Sequence, residues 1–302
     1  MFKRKDVFTG HTGSVYALEK LSTESFVSGS GDKIVARWQL QQPESGELFI
    51  RVPEIVYKLK FIPSTQQMLA GTAGGSIHVI SIRDAAETNL LQYHKQGIFD
   101  MAVSAIHNLM VTAGGDGIIT FCRLNDFGII KQESLCSAKL RSVCFSTDDK
   151  LIAIGCGDGS IVIYDALNLS IVNRLQAHKE GWSTNIVKFH PTQTLLLSAS
   201  RDAMIHVFDT KNNFTLLESI AAHNYAIYDI QFSPDNKLIA TASRDKSVKI
   251  WNSDDLNFVQ KLDKEKSDGH VNSVNKILWI DENNLLSCGD DRSIILWEQA
   301  GQ

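Results

Sequence analysis

A chain of 302 residues with 43% hydrophobic and 21% charged side chains has ordinary globular composition and can bury a sizeable core, which excludes an intrinsically disordered chain. A formal net charge of −4 gives no overall attraction to phosphate backbones or anionic lipid, so neither nucleic acid nor a membrane surface is an expected partner. The start, MFKRKDVFTGHTG, lacks a signal-peptide apolar stretch and no apolar run is long enough for a membrane helix, so an intracellular, cytoplasmic protein is expected.

Five cysteines, Cys122, Cys136, Cys144, Cys156 and Cys288, are odd in number and form no C-x-x-C pair. Neither a disulfide framework nor a zinc site is indicated, and no metal or cofactor is expected. The cysteines read as small buried hydrophobes.

Taken in chain order, the first element is KRKDVFT at residues 3–9, a lone strand-like run. A hairpin pattern follows and then recurs: SGSGDKIVARW, AGTAGGSIHVI, TAGGDGIITFC, IGCGDGSIVIY, SASRDAMIHVF, TASRDKSVKIW and SCGDDRSIILW, beginning at residues 28, 70, 112, 154, 198, 241 and 287. The anchor positions are Asp32, Gly74, Asp116, Asp158, Asp202, Asp245 and Asp291, spaced 42, 42, 42, 44, 43 and 46 residues apart. Each segment alternates small or apolar residues into a turn of Gly, Asp and Ser, then alternates again toward an aromatic, which predicts a β-hairpin.

Upstream of each hairpin a period-two run such as AIYDIQF (226–232) predicts a first strand, and downstream a weaker run such as FVQKLDK (258–264) predicts a fourth. QQPESGEL at 41–48 and KLDKEKSDGH at 261–270 read as polar, solvent-facing connections. Four antiparallel strands repeated every 40 to 45 residues or so predict an all-β, seven-bladed β-propeller over residues 1–302 as one domain, rather than a solenoid. The chain ends after a third strand, so the N-terminal strand is expected to complete the last blade and close the ring without a free edge.

These units resemble those of the WD-repeat (WD40) family, in which Gly-His opens a unit and Trp-Asp or a variant ends it. Gly10 with His11 and Gly269 with His270 keep the opening pair, His94, His178 and His223 keep its histidine, and Trp38, Trp251 and Trp297 keep the closing tryptophan. The resemblance covers the whole chain and implies a hydrogen-bonded chain of His, Ser or Thr, Asp and Trp within a blade. Blade 1 supplies His11, Ser28, Asp32 and Trp38, blade 6 His223, Thr241, Asp245 and Trp251, and blade 7 His270, Ser287, Asp291 and Trp297. Blades 3 and 5 keep His94, Thr112 and Asp116, and His178, Ser198 and Asp202, with Cys122 and Phe208 in the tryptophan's place. Blade 4 keeps only Asp158, and blade 2 nothing.

A recurring His, Ser and Asp set argues for scaffolding, because a catalytic triad occurs once and exposes its nucleophile. The glycine-rich stretches GCGDGS (155–160) and AGGDGI (113–118) are followed by strands, whereas a phosphate loop leads into a helix. Catalytic residues are therefore not assigned.

In WD-repeat propellers partners often contact the narrow face, and its positions here carry six aromatics and three arginines: Tyr16, Tyr57, Phe99, Arg141, Trp182, Arg201, Tyr225, Tyr228 and Arg244. Such side chains offer rigid area, hydrogen-bonding tips and planar cations. The expected function is a non-catalytic scaffold, a monomeric propeller within a larger complex, that binds a peptide or protein on this top face around the central channel. The alternatives are aromatics that only plug the channel mouth, an enzyme with a site there, and a structural subunit bound through its rim or opposite face. Trp279 aligns with Phe61, Phe145, Phe189 and Phe232 and reads as core.

Overall fold

The computed structural model describes residues 1–300. It forms seven four-stranded sheets, and six of them take four strands consecutive in the chain. Blade 1 runs Val15–Lys20, Ser25–Ser30, Ile34–Gln39 and Gln42–Arg51. The last sheet takes Val274–Trp279, Asn284–Gly289 and Ile294–Gln299, then adds Phe2–Phe8 antiparallel to the third of these, from Phe2 opposite Gln299 to Phe8 opposite Ile294. The expected splice of the two chain ends is present, and it covers what would otherwise be an unpaired edge.

Burial explains why some strands are plain in the sequence and others are not. Second strands are buried on both faces, as in Leu109–Gly114 and Leu195–Ser200, so small and apolar residues fill them. Fourth strands such as Thr215–Ala221 and Glu87–Gln92 are mostly exposed and carry a weak apolar signal. That exposure accounts for a correction: residues 42–48, read as a connection, belong to the fourth strand of blade 1. The other polar stretch contains the end of the strand Phe258–Leu262 and a short helix, Lys264–Ser267, N-capped by Asp263. No described helix is long and apolar enough to cross a membrane.

The chain divides into two compact units, one holding residues 1–70, 78–90 and 228–302 and the other 71–77 and 91–227. In the first, Phe8 packs edge-on against Phe26 and Trp38, and Phe2 against Trp279, at ring distances of 5.2 to 5.7 Å. Trp279 is buried and donates to the Gln231 carbonyl at 3.2 Å, the core position that its alignment predicts. In the second, Phe121 and Tyr164 meet at 5.1 Å within a core of Leu, Ile and Val.

The hairpin turns place the residue after each anchor in the left-handed region: Lys33, Gly75, Gly117, Gly159, Ala203, Lys246 and Arg292 have φ between 66° and 92°. Three blades meet this with glycine, which adopts that region without steric cost. At Gly117 a Cβ would also collide with the Cys136 carbonyl oxygen, so glycine there answers two constraints.

Candidate functional site

In blades 1 and 7 the hydrogen-bonded chain runs from the turn to the core. His11 Nδ1 lies 2.8 Å from Asp32 Oδ2, His11 Nε2 2.7 Å from Ser28 Oγ, and Trp38 Nε1 donates to Ser28 Oγ at 2.7 Å. The equivalent distances in blade 7 are 2.9 Å for His270 to Asp291 and 2.8 Å for both His270 to Ser287 and Trp297 to Ser287. Donor arithmetic sets the direction of this chain. The carboxylate can only accept, so in a neutral imidazole Nδ1 carries the proton toward it, Nε2 accepts from the serine hydroxyl, and the serine oxygen in turn accepts the indole N–H.

The turn aspartates also accept backbone N–H groups. Asp32 accepts from Thr12 and Ile34, and Asp291 from Val271 and Ser293, besides the Ser293 hydroxyl. Burial pushes the Asp291 carboxyl up, but the hydrogen bond and charge of His270, with Ser293 and Val271, outweigh it and hold the group at about 2. Asp32 lies below the ordinary carboxylate range for the same balance of burial against His11 and backbone donors.

Blade 6 keeps the indole donor, and blades 3, 5 and 4 depart in stages. In blade 6 Trp251 donates to Thr241 at 3.0 Å, Asp245 accepts from Ser247, and His223 is buried. In blade 3 His94 keeps Asp116 at 3.1 Å and Thr112 at 2.8 Å, while Cys122 turns its thiol to the Met110 carbonyl. In blade 5 His178 keeps Asp202 at 2.9 Å and Ser198 at 2.8 Å, with Phe208 offering no donor. In blade 4 Asp158 binds the Ser160 backbone and hydroxyl, and Cys136 comes close to it together with Cys156. Cys136 is half-buried rather than buried, and the neighbouring Cys156 thiol lowers its pKa against the effect of burial.

Among the described residues two groups of ligating side chains gather one donor atom from each member within 4.8 Å: Cys136, Cys156 and Asp158, and His178, Asp202 and His206. The sequence did not single out either, because neither follows a contiguous ligand motif. It also passed over a buried ion pair, Asp229 with Lys276 at 2.9 Å, in which Asp229 also accepts the Ile277 N–H and joins the first strands of blades 6 and 7. Asp100 plays a similar role toward Ser142 and Val143. These carboxylates sit one residue after the aromatic positions Tyr228 and Phe99, inside an alternating run that looked wholly explained by its apolar members.

The residues expected on the narrow face fall into groups. In the first unit Tyr16 and Tyr57 meet edge to face at 5.5 Å, Tyr228 is half-buried and Arg244 exposed. In the second, Arg141 stacks over Phe99 at 4.5 Å with Lys139 at 5.5 Å from the same ring. Trp182, 37% exposed, has Lys179 at 5.6 Å and Arg201 at 6.0 Å from its ring, and Tyr225 is 60% exposed. The turn at 157–159 lies beside both: a Cβ at Gly157 would meet the Lys139 backbone, and one at Gly159 the carbonyls of Lys179 and Trp182.

Comparison with known proteins agrees with this geometry. The family model of the WD domain, G-beta repeat, matches residues 2–39, 214–252 and 261–298, and that of the nucleolar protein 10-like N-terminal domain, a β-propeller, matches 38–224, more than half of the chain. The chain belongs to the WD-repeat β-propeller family. The WD40 propeller domain of Doa1 superposes with a TM-score of 0.86 over 99% of this chain and 97% of that one, at 13% identity. The fold is thus a seven-bladed propeller of four-stranded antiparallel blades. Among curated relatives, the 66 kDa stress protein of Physarum polycephalum is 26% identical over 95% of this chain and 47% of its own length. Actin-interacting protein 1 of Caenorhabditis elegans is 26% identical over 63% of this chain and 31% of its own. The chain spans less than half the length of these relatives.

Proposed function

We propose that this WD-repeat propeller is a non-catalytic, cytoplasmic platform that binds an acidic segment of a partner protein or peptide on its narrow face. The observation that carries the reading is a pair of ring and cation groups beside the turn at 157–159, with Lys139 and Arg141 over Phe99 and Lys179 and Arg201 over Trp182. Planar guanidinium groups recognise carboxylates by paired hydrogen bonds, and the neighbouring rings give apolar area at little entropic cost. Tyr16, Tyr57, Tyr228 and Arg244 in the other unit, and Tyr225, are proposed as further partner contacts. A relative named for interacting with actin supports a protein-binding role, and the four-part chains of blades 1 and 7 are read as scaffold.

The test is affinity capture from cell extract with wild type and with a folded Phe99→Ala, Arg141→Ala, Trp182→Ala variant, at low and high salt. The reading expects a partner retained by wild type, weakened by salt and lost with the variant. A partner held equally by both baits would move the interface to the rim or the opposite face.

A further inference from the structure

Blade 5 differs from the other blades with a His–Asp pair at one position, the residue of the third strand that lies directly opposite the network hydroxyl. Opposite Ser28 stands Ala36, opposite Thr112 stands Thr120, and opposite Ser287 stands Ile295, but opposite Ser198 stands His206. Its ring lies 4.4 Å from that of His178 with the planes 41° apart, and His178, Asp202 and His206 each bring a ligand atom within 4.8 Å of the others. His206 Nδ1 is 2.7 Å from the Ser219 hydroxyl on the fourth strand, which leaves Nε2 as its coordinating nitrogen.

We propose that His178, Asp202 and His206 form a binding site for a divalent transition-metal ion of the zinc class. Two imidazoles and one carboxylate are a donor set that suits zinc, and three protein ligands leave a position for water or for a side chain of a docked partner. Around one ion, ligand atoms stand about 3.3 Å apart, from metal–ligand bonds of about 2.0–2.2 Å. The 2.9 Å gap between His178 and Asp202 therefore opens slightly, and the approach of His206 closes the rest. His178 is buried while Asp202 and His206 keep some exposure, so the ion has a route in from solvent.

Coordination through Nδ1 requires His178 to carry its proton on Nε2, and the hydroxyl of Ser198 decides whether it can. In blades 1 and 7 the indoles of Trp38 and Trp297 fill one of the serine oxygen's two acceptor positions, so taking an Nε2–H as well would use both. Phe208 makes no such donation, so Ser198 can instead accept an Nε2–H from His178. The Asp202 carboxylate and the freed Nδ1 lone pair then share the metal in place of a proton. One proton leaves Nδ1 and one is taken up at Nε2, so the imidazole remains neutral. Ser198 and Ser219 become the outer hydrogen-bond partners that orient the two histidines, as metal-bound imidazoles generally require. Among the described residues of blades 1, 3, 5 and 7, a second imidazole stands opposite the network hydroxyl in blade 5 alone.

The test uses tag-free, metal-stripped chain titrated with Zn²⁺ by calorimetry, with Co²⁺ absorption as an independent readout of coordination. The proposal expects one tight site per chain, at least tenfold weaker binding in His206→Ala, and loss of the tetrahedral Co²⁺ bands in that variant. A second variant, Phe208→Trp, keeps all three ligands but restores an indole donor to Ser198, and it too should bind at least severalfold more weakly. Equal affinity in wild type and His206→Ala, or no saturable site in wild type, would overturn the metal site. Wild-type affinity in a folded Phe208→Trp would overturn the role given to Ser198. Should the larger indole prevent folding, ¹⁵N shifts of His178 in the wild type, read with and without Zn²⁺, decide the same point.

Discussion

Blades 5 and 7 start from the same parts and end in different states. Both have a buried histidine held between a turn aspartate and a strand serine at 2.8 to 2.9 Å. In blade 7 Trp297 closes the chain, Lys276 reaches back to the buried Asp229, and Ile295 fills the space opposite Ser287. In blade 5 the corresponding positions hold Phe208, Ile186 and His206. The lesson is that an indole donor fills one of the serine oxygen's two acceptor positions, so a change from indole to phenyl frees that oxygen to accept from the histidine.

The comparison can be broken most severely at Lys276. Replacing it by Ala leaves Asp229 buried and uncompensated, and urea unfolding should show a loss of about 3–5 kcal/mol. A loss well under 1 kcal/mol would mean that water or another cation serves Asp229.

Acid sharpens the contrast by acting on the carboxylate of blade 7. Asp291 is depressed to about 2 in the folded chain, against an ordinary value of 3.8. Its contribution is therefore complete above about pH 5 and is lost as pH falls toward 2; by linkage it is of order 2 kcal/mol. In Asp291→Asn that part of the acid dependence should vanish, and an unchanged slope of stability against pH between 5 and 2 would refute it.

The smallest effect tests the indole itself. Trp297→Phe gives blade 7 the aromatic of blade 5 and removes one buried hydrogen bond, with an expected cost of about 1–2 kcal/mol in urea unfolding. Phe208→Trp in blade 5 should act in the stabilising direction if the indole is accommodated.

What could be read from the sequence and what could not has a physical division. The seven turns were legible because a hairpin needs a special turn and a buried second strand, which constrain neighbouring residues such as Ala199, Arg201 and Asp202. The splice of residues 3–9 was legible because a last sheet with three strands needs a fourth. The fourth strand of blade 1 was not, since Pro43 and Glu44 interrupt the alternation and Gly46 stands where a Cβ would collide with the Trp38 ring. Lys276 with Asp229 and His206 with His178 were illegible for another reason. Their partners lie 47 and 28 positions away, and only the stacking of blades and the pairing of strands brings them together.

The most direct test of the contrast is a long-range ¹H–¹⁵N correlation spectrum of ¹⁵N-histidine-labelled protein, recorded as Zn²⁺ is added. The account predicts that His11 and His270 stay Nδ1-protonated throughout, while His178 alone of the three changes to Nε2-protonated with a metal-shifted Nδ1. A His178 that keeps the tautomer of His270 at saturating Zn²⁺, or a change shared by all three, would contradict it.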